Sequence, residues 1–493
     1  MMASHASKLP ETAGIPRPPE IALHSLIFPV KEVFARGKIC CFMPLPFSAA
    51  ALFALEMRRT LGRPLVIITE SAALMDEMRR NLDAFTAEKD AAAILDYPPR
   101  EEDTAGGKGG KPSGRDSGRP AIAAGERLRA LARIGVAQSP FLINTCVQAL
   151  MQKTISPAAL NRYALRLSEG KPHDPDRLAA WLEQAGYEFV PEVQEKAQAA
   201  RRGGLADVWP PSEPLPLRIE FDGLTVESIR RFDAVDQRSC GRAGTVVIPP
   251  ASESVLTRVP QISNLESQIS NSYDSLAQCL PDETVFFWVE KCPAAADKSA
   301  RQYGGIACHA ALHESACRDA GFSGADVSFA ALLENLSRRP CPQCFSVVDC
   351  SPWRSLAQTG LSPHILPDAF PSLDPGFRAL HDMSPPLQSF LTVDAARENR
   401  RQWLGRLEEK ARAGMDVHLF FSTPGALDRF RSANSPGRDV FHFHLGAVSD
   451  GFLHDQLRLA VVSEPGLLFQ AKTMRRRAEI KAQRLAERRA VSG

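Results

Sequence analysis

Residues 217–221 (LRIEF) alternate between apolar and polar side chains, with Leu, Ile and Phe at every second position. A period of two is typical of a β-strand with one buried face. Asp222-Gly223 follows, a residue pair that favours a two-residue hairpin turn, and the alternation resumes with Leu224 and Val226. We therefore predict a β-hairpin with one polar face.

A second short strand is predicted just before this hairpin. Leu205–Trp209 is mostly apolar, and Pro210-Pro211 ends it because proline cannot donate to a strand ladder. Two arginines and two glycines, residues 201–204, lead into this strand. The stretch Arg201–Ser239 is therefore predicted to be a small β module with arginines on one surface.

Before the β module, apolar strands alternate with amphipathic helices. Residues 38–47 and Leu65–Thr69 are predicted strands, and Ser48–Thr60 and Ser71–Phe85 are predicted helices. Ser48 is the expected N-cap of the first helix, since a serine hydroxyl accepts from the first turn. A strand–helix–strand–helix order predicts a parallel α/β sheet.

The same kinds of pattern continue along the rest of the chain. They predict further helices and strands at Ala121–Ala137, Phe141–Asn144, Asp176–Tyr187, Val246–Ile248 and Val285–Val289. Residues 350–385 are rich in proline without a clear period and are predicted to be a linker. A separate small α/β domain is then predicted from Ala395–Ala413, Val417–Ser422, Pro424–Ser432, Val440–Leu445 and Leu459–Ser463. The fold class is therefore α/β multidomain.

Composition sets limits on the class of protein. The chain has 493 residues, 44% of them hydrophobic and 24% charged, which fits about three or four globular domains. A net charge of +2 implies no overall field for nucleic acid or membrane. No apolar run reaches the roughly eighteen residues of a transmembrane helix. Eleven cysteines without a small-domain framework predict reduced thiols in a cytoplasm.

Three polar segments are predicted to lie outside the folded domains. Residues 1–24 lack the apolar core of a signal peptide and are expected to be a disordered N-terminus. Residues 101–120 contain six glycines and are expected to be a flexible insertion, because little apolar surface offsets the ordering entropy. Residues 471–493 contain eight Lys/Arg and two Glu and are predicted to form an exposed basic helix.

The loop after the first strand is unsuited to a nucleotide phosphate. A phosphate loop needs glycines for close backbone approach and a lysine for the charge. Residues 43–48 (MPLPFS) contain neither, and Pro44 and Pro46 each remove a backbone donor. We therefore predict a nucleotide-hydrolase-like lobe without a working site and without a cofactor.

Several separate motifs, in one order, carry a resemblance to a known family. Within the β module they are RRGGLADVWPP, LRIEFDG, VESIRRFD and DQRS, and in the flanks they are Tyr97-Pro98, GERLRAL, AWLEQAGY, IPPASE and Asp450-Gly451-Phe452. The chain resembles the bacterial transcription-repair coupling factors, which share an interaction module with the helicase UvrB. The resemblance extends over roughly residues 25 to 480.

The resemblance implies a degenerate RecA/UvrB-like lobe, interrupted by a small α+β interaction domain and followed by a separate small α/β domain. The expected regions are 1–24, a disordered N-terminus; 25–155, lobe 1A with the insertion 101–120; 156–245, the UvrB-like UvrA-interaction domain; 246–375, lobe 1B and linker; 376–470, the small α/β domain; and 471–493, the basic C-terminal helix. The family continues into a polymerase-binding domain and translocase lobes with ATPase motifs. We expect these domains to be missing here. Because the family contacts RNA polymerase through them, we expect this chain to make no such contact by itself.

The resemblance also implies a partner. In the family, arginines at the motif positions of Arg202 and Arg218 help bind the damage-recognition ATPase UvrA. Arginine suits such a surface because its planar fork of donors recognises carboxylates. An alternative is that Arg218 lies opposite Glu227 across the hairpin and forms an ordinary cross-strand pair.

Asp222 departs from the family pattern, which commonly has a second aromatic residue after the Phe. A carboxylate in place of an aromatic anchor would weaken or reshape partner docking. Alternatively, the hairpin turn has shifted by one residue.

Two other groups of residues have a possible chemistry. Cys308, His309, His313 and Cys317, followed by a single CxxC pair at Cys341 and Cys344, are candidate zinc ligands, although scattered reduced thiols are the favoured interpretation. The basic tail is a candidate for weak DNA contact through phosphates. No pattern of paired carboxylates or nucleophile elbow stands at a credible spacing, so we expect no catalysis within this chain.

These patterns lead to one favoured function and two alternatives. We expect a cytoplasmic, UvrA-recruiting module of transcription-coupled nucleotide excision repair that acts by docking, with no membrane association. The alternatives are an ATP-dependent DNA-binding, helicase-like repair enzyme and a stand-alone decoy that occupies UvrA.

Overall fold

The computed structural model describes residues 30–135 without 33, 35–38, 87 and 101–118, and residues 140–253, 273–291, 305–319, 327–347 without 341, 372–380, 393–433, 440–464 and 467. The predicted disordered N-terminus, residues 101–118 of the predicted insertion and the predicted basic C-terminal helix lie outside the described residues. Within the described part, no helix is both long and apolar enough to cross a membrane.

Helices occur on both sides of the β module. The helices are α1 (Phe47–Leu61), α2 (Ala72–Phe85), α3 (Glu88–Ala91), α4 (Arg119–Ile134), α5 (Val147–Met151), α6 (Pro157–Tyr163), α7 (Pro175–Gln184), α8 (Leu276–Cys279), α9 (Ile306–Asp319), α10 (Phe329–Arg338), α11 (Val393–Arg412) and α12 (Pro424–Ala433). Helix α2 begins after Ser71, whose side chain accepts a hydrogen bond from the Leu74 amide.

The strands form three larger sheets and two short pairs. The first strands are β1 (Ile39–Phe42), β2 (Leu65–Thr69), β3 (Ile94–Tyr97), β4 (Leu142–Cys146), β5 (Lys153–Ile155), β6 (Leu165–Ser168), β7 (Glu188–Phe189), β8 (Gln198–Arg202), β9 (Leu205–Val208), β10 (Leu217–Asp222) and β11 (Thr225–Phe232). The later strands are β12 (Ser239–Arg242), β13 (Thr245–Ile248), β14 (Tyr273–Ser275), β15 (Val285–Val289), β16 (Gln343–Ser346), β17 (Ser372–Leu373), β18 (Phe377–Ala379), β19 (Asp416–Phe421), β20 (Phe441–Leu445), β21 (Phe452–His454) and β22 (Leu459–Ser463).

A seven-stranded sheet combines strands from before and after the β module. Its order is β17-β1-β16-β15-β2-β4-β3, and the neighbouring strands pair in parallel. Every residue of β2 (LVIIT) and β15 (VFFWV) is buried, as expected for a parallel sheet with both faces covered. The predicted α/β class is confirmed.

The first helix begins differently from the prediction. Pro46 is the N-cap of α1, and no side chain caps it from within the helix. The Pro46 carbonyl accepts the first helical bond, from the Ala50 amide, since the fixed φ of proline suits an N-terminal position. The expected N-cap role of Ser48 is therefore wrong, because Ser48 lies inside the first turn.

The β module is part of a six-stranded sheet with the order β12-β11-β10-β9-β8-β7. One face packs against α7 through a buried cluster that includes Leu178, Leu182, Leu217, Ile219 and Ile229. The interaction domain was predicted to end at residue 245, but β13 (Thr245–Ile248) pairs with β6 and so belongs to the same domain. Ala159 and Leu160 of α6 instead pack in the core of the seven-stranded sheet. By packing, residues 156–164 therefore belong with the seven-stranded sheet, and the interaction domain begins near residue 165 rather than at 156.

The C-terminal region has a five-stranded sheet with the order β18-β21-β22-β19-β20. Two short strands lie inside the predicted linker and belong to different sheets. Strand β17 (Ser372–Leu373) pairs with β1 of the seven-stranded sheet, whereas β18 (Phe377–Ala379) pairs with β21 of the five-stranded sheet. The domain was expected to be separate, but Phe420, Phe452 and Val461 pack in the same buried cluster as Phe53. The two sheets therefore share a core.

Candidate functional site

The hairpin of the β module turns one residue later than predicted. Strands β10 and β11 are joined by Gly223-Leu224, with Asp222 paired to Thr225. Gly223 has φ 57°, a left-handed value that glycine adopts without steric cost. Asp222 therefore ends the strand in an exposed position, and both interpretations of its departure from the family pattern stay predictions.

A β-bulge in this hairpin decides which residue faces Arg218. The register shifts between Glu220 and Phe221, so that Glu220 pairs with Ser228 and Phe221 pairs with Val226. The bulge skips Glu227, and Arg218 consequently lies opposite Arg230. The alternative cross-strand pair of Arg218 with Glu227 is therefore wrong.

Arg218 instead forms a bidentate ion pair with Asp207 on the neighbouring strand β9. Its Nε and Nη2 atoms donate to the two carboxylate oxygens, each at 2.8 Å. The guanidinium also donates to the carbonyl and side chain of Gln237 at 3.2 Å and lies 4.4 Å from the Phe232 ring centroid. Hydrogen bonding to Asp207 raises the pKa of Arg218. The arginine is thus fixed in one orientation with 20% of its side chain exposed.

Arg202 lies on the same face of the sheet in a more open position. It ends strand β8 opposite Leu205, which in turn pairs with Glu220. Its Nη2 donates to the Pro191 carbonyl at 2.5 Å, and the side chain is exposed. By strand spacing, the Cα atoms of Arg202 and Arg218 are roughly 12 Å apart. One partner surface is able to span both residues.

Arg201 belongs to the opposite side of its strand. Successive side chains along a strand point to opposite faces, and Arg201 forms an ion pair with Asp176 of α7 at 2.5 Å. Only the second arginine of the Arg201-Arg202 pair therefore shares the face of Arg218.

Two further arginines continue the row that begins at Arg218. Arg230 lies opposite Arg218, and Arg242 lies opposite Arg230 on the edge strand β12. Their side chains are 41% and 71% exposed. Arg230 donates to Glu220 at 2.6 Å, and Arg242 lies 3.4 Å from Glu169.

Sequence reasoning missed both residues. The signal was available for Arg230, because VESIRRFD continues the strand after the turn. The position of Arg242 depends on a pairing between distant segments that no local pattern indicates. We call the set Arg202, Arg218, Arg230 and Arg242, with Asp207 and Glu220 between them, the arginine face.

The candidate zinc ligands do not form a shared site among the described residues. Cys308, His309, His313 and Cys317 all lie on α9, and Cys317 Sγ lies 3.8 Å from His313 Nε2. Cys344 is buried in β16, and Cys341 lies outside the described residues. No group of three or more acidic, histidine or cysteine side chains in the described part is arranged to hold a metal ion.

A family model and several known proteins match parts of this chain. The model of the UvrB interaction domain family matches residues 165–253, which contain the arginine face. The transcription-repair-coupling factor of Myxococcus xanthus is 37% identical over 137 residues, covering 28% of this chain and 11% of that protein. The UvrABC system protein B of Pseudothermotoga lettingae is 30% identical over 118 residues, covering 24% of this chain and 18% of that protein.

Another relative matches nearly half of the chain. The transcription-repair-coupling factor of Bacillus subtilis is 25% identical over 241 residues, which cover 48% of this chain and 19% of that protein. The chain thus spans less than a fifth of the length of the relatives it matches. The resemblance to the coupling factors that the motifs indicated is confirmed.

Proposed function

We propose that this chain is a docking module of transcription-coupled nucleotide excision repair and that it recruits UvrA through the arginine face. The observation that carries the proposal is the position of this face inside the matched UvrB interaction domain. Its arginines lie on one side of the sheet, whereas the other side is buried against α7.

The arginines have different roles in this proposal. Arg218 has four of its five N–H groups directed at Asp207 and Gln237, so it supplies a fixed charge and a rigid centre. Arg202, Arg230 and Arg242 are more exposed and present donors at the edge of that centre. Such a pattern favours a partner surface with carboxylates, because arginine pairs with them through two parallel hydrogen bonds.

Carboxylates within the arginine face tune this surface. Glu220 accepts hydrogen bonds from both Arg230 and Ser228 at 2.6 Å. A docking carboxylate therefore competes with Glu220 for Arg230, which lowers the net gain of that contact. Arg202 and Arg242 are expected to carry more of the binding free energy than their position at the rim suggests.

Purified UvrA and this chain test the proposal by titration calorimetry or a pull-down. The variant Arg202→Ala plus Arg242→Ala removes two exposed arginines without touching the Arg218–Asp207 pair. An arginine that acts as a hot spot contributes about 2 kcal/mol, and about 1.4 kcal/mol is a factor of ten, so the double variant should raise the dissociation constant more than tenfold even if only one of the two is a hot spot.

The matched control is Arg166→Ala, which removes an exposed arginine from strand β6 of the same unit. We expect its affinity for UvrA to equal that of the wild type. Equal affinity of the double variant and the control for UvrA would show that Arg202 and Arg242 of the arginine face do not contribute to binding. A weak dependence of the association rate on salt would also count against it, since exposed charges steer association.

A further inference from the structure

The loop before helix α1 lacks the glycines and the lysine of a phosphate loop, but the first amides of the helix still need an acceptor. The helix follows strand β1 of the parallel sheet and begins with Phe47. Its N-cap residue is Pro46, which has no side chain that could cap the helix. The amides at the start of a helix lack intrahelical partners, and the helix dipole adds a partial positive charge. In nucleotide-binding lobes the same strand-to-helix junction holds a phosphate.

A carboxylate from the C-terminal region occupies this position. Asp450 Oδ2 accepts from the Phe47 amide at 2.9 Å, and Asp450 Oδ1 accepts from the Ser48 amide at 2.8 Å. The Ser48 hydroxyl donates to the Asp450 carbonyl at 2.8 Å. Phe47 and Ser48 are buried, so the carboxylate satisfies amides that would otherwise be costly to bury.

The loop that carries Asp450 is shaped for this contact. A Cβ on Gly446 would lie 2.8 Å from the Cβ of Ala84, and a Cβ on Gly451 would lie 2.6 Å from a methyl carbon of Leu380. Glycine at position 446 therefore allows the loop to approach helix α2 of the lobe closely, and glycine at position 451 allows it to pack on Leu380 of the C-terminal region.

The residue that precedes Asp450 adds further contacts to this interface. Ser449 exchanges two hydrogen bonds with Asn81 of α2: its amide donates at 2.9 Å, and its hydroxyl accepts at 3.0 Å. Beside these polar contacts, the rings of Phe85 and Phe420 meet edge to face with centroids 5.4 Å apart. The interface thus combines an anion at a helix terminus with core-like packing.

We propose that Asp450 is an anionic latch that holds the C-terminal α/β region on the lobe by filling the position of a nucleotide phosphate. The strand-to-helix junction then serves as a joint between two parts of the same chain. A phosphate group reaches the α1 amides only after it displaces Asp450. The latch is independent of UvrA, and its failure would leave the proposed docking function untouched.

Hydrogen–deuterium exchange of the full chain tests the latch at the amides of Phe47 and Ser48. Asp450→Ala should increase exchange there, and in the loop 446–451, by about tenfold or more, since hydrogen bonds to a charged group are among the stronger ones. Asp450→Asn retains one amide oxygen as an acceptor, so it should give an intermediate increase while keeping the side chain's shape. Asp455→Ala is the matched control, because it removes an exposed acid from the same region.

Inorganic phosphate provides the second arm. In Asp450→Ala the α1 amides are accessible to an added anion, and we expect phosphate to restore part of the protection. In the wild type, phosphate should have no effect on the same amides. The latch is refuted if Asp450→Ala exchanges like the wild type, or if phosphate protects the wild type as strongly as the variant.

Discussion

Breaking the buried ion pair between Arg127 and Glu253 should destabilise the protein more than any surface change. Arg127 Nε lies 2.7 Å from Glu253 Oε1, and Nη2 lies 3.2 Å from Oε2. The two side chains are 1% and 4% exposed. The Pro98 carbonyl accepts from Arg127 at 2.9 Å, and the guanidinium lies 4.1 Å from the Tyr97 ring centroid. The pair joins α4 of the lobe to the segment that follows β13, the strand paired with β6.

The magnitude follows from burial and distance. At 2.7 Å and an effective dielectric of about 20, the attraction between unit charges is about 6 kcal/mol. Desolvation offsets much of it, so the intact pair contributes little net stability. Burial acts to lower the pKa of Arg127, but the carboxylate of Glu253 raises it, so the arginine stays charged. Removing one partner leaves a buried charge, and Arg127→Met should therefore cost about 3–5 kcal/mol.

Urea denaturation followed by circular dichroism measures this cost in a double-mutant cycle. Glu253→Gln alone should cost a similar amount, whereas the double variant should cost at least about 1 kcal/mol less than the sum, because neither charge is left alone. Arg129→Met is the control on the same helix, and since Arg129 is exposed, its effect should stay within about 0.5 kcal/mol. Additive costs, or an Arg127→Met variant as stable as the control, would refute the reasoning.

Three smaller predictions concern pH and the arginine face. Burial, with the carboxylate of Asp96, raises the pKa of Glu126 from 4.5 to about 7. The folded chain therefore holds this proton more tightly than the unfolded chain, and the free energy of unfolding should fall as pH rises from 4.5 to 7. In Glu126→Gln the midpoint of urea denaturation should depend less on pH in this range. Burial, with the charges of His444 and His442, lowers the pKa of His418 from 6.5 to about 3. As pH falls below 6.5 the unfolded chain binds a proton at this histidine before the folded chain does, so the free energy of unfolding should fall. In His418→Gln this fall should be less steep. Asp207→Asn should cost about 1.5–3 kcal/mol in the same assay, because the charged bidentate bonds to Arg218 are lost; an unchanged midpoint would mean that Gln237 and Phe232 hold Arg218 without Asp207.

Local patterns predicted the elements of the chain well and their contacts poorly. The alternation in LRIEF and the buried runs LVIIT and VFFWV correspond to β10, β2 and β15, because burial of one or both faces leaves a direct trace in the sequence. The partner of Arg218 left no such trace. Whether it meets Glu227, Arg230 or Asp207 depends on a bulge and on the pairing of β9 with β10, and a shift of one residue moves every side chain to the other face.

The start of α1 shows a second limit of sequence reasoning. Ser48 is a good capping residue by type, but the helix begins one residue before it, and Asp450 caps the amides from about 400 positions away in the chain, at sequence separations of 403 and 402 residues. The same distance explains why the C-terminal region was expected to be separate. Periodicity identifies an amphipathic face, but it does not identify the surface that covers it.

Several motifs outside the β module act as joints between units of the fold. Arg127 belongs to GERLRAL and Glu253 to IPPASE, and together they fix the segment that follows β13 to the lobe. Asp450 belongs to the motif Asp450-Gly451-Phe452 and fixes the C-terminal region to the same lobe. A binding surface held in one orientation loses less entropy when a partner docks. Variants at the Arg127–Glu253 joint should therefore weaken the proposed binding of UvrA without touching the arginine face, and the loss should follow the loss of order at that joint rather than any change in charge.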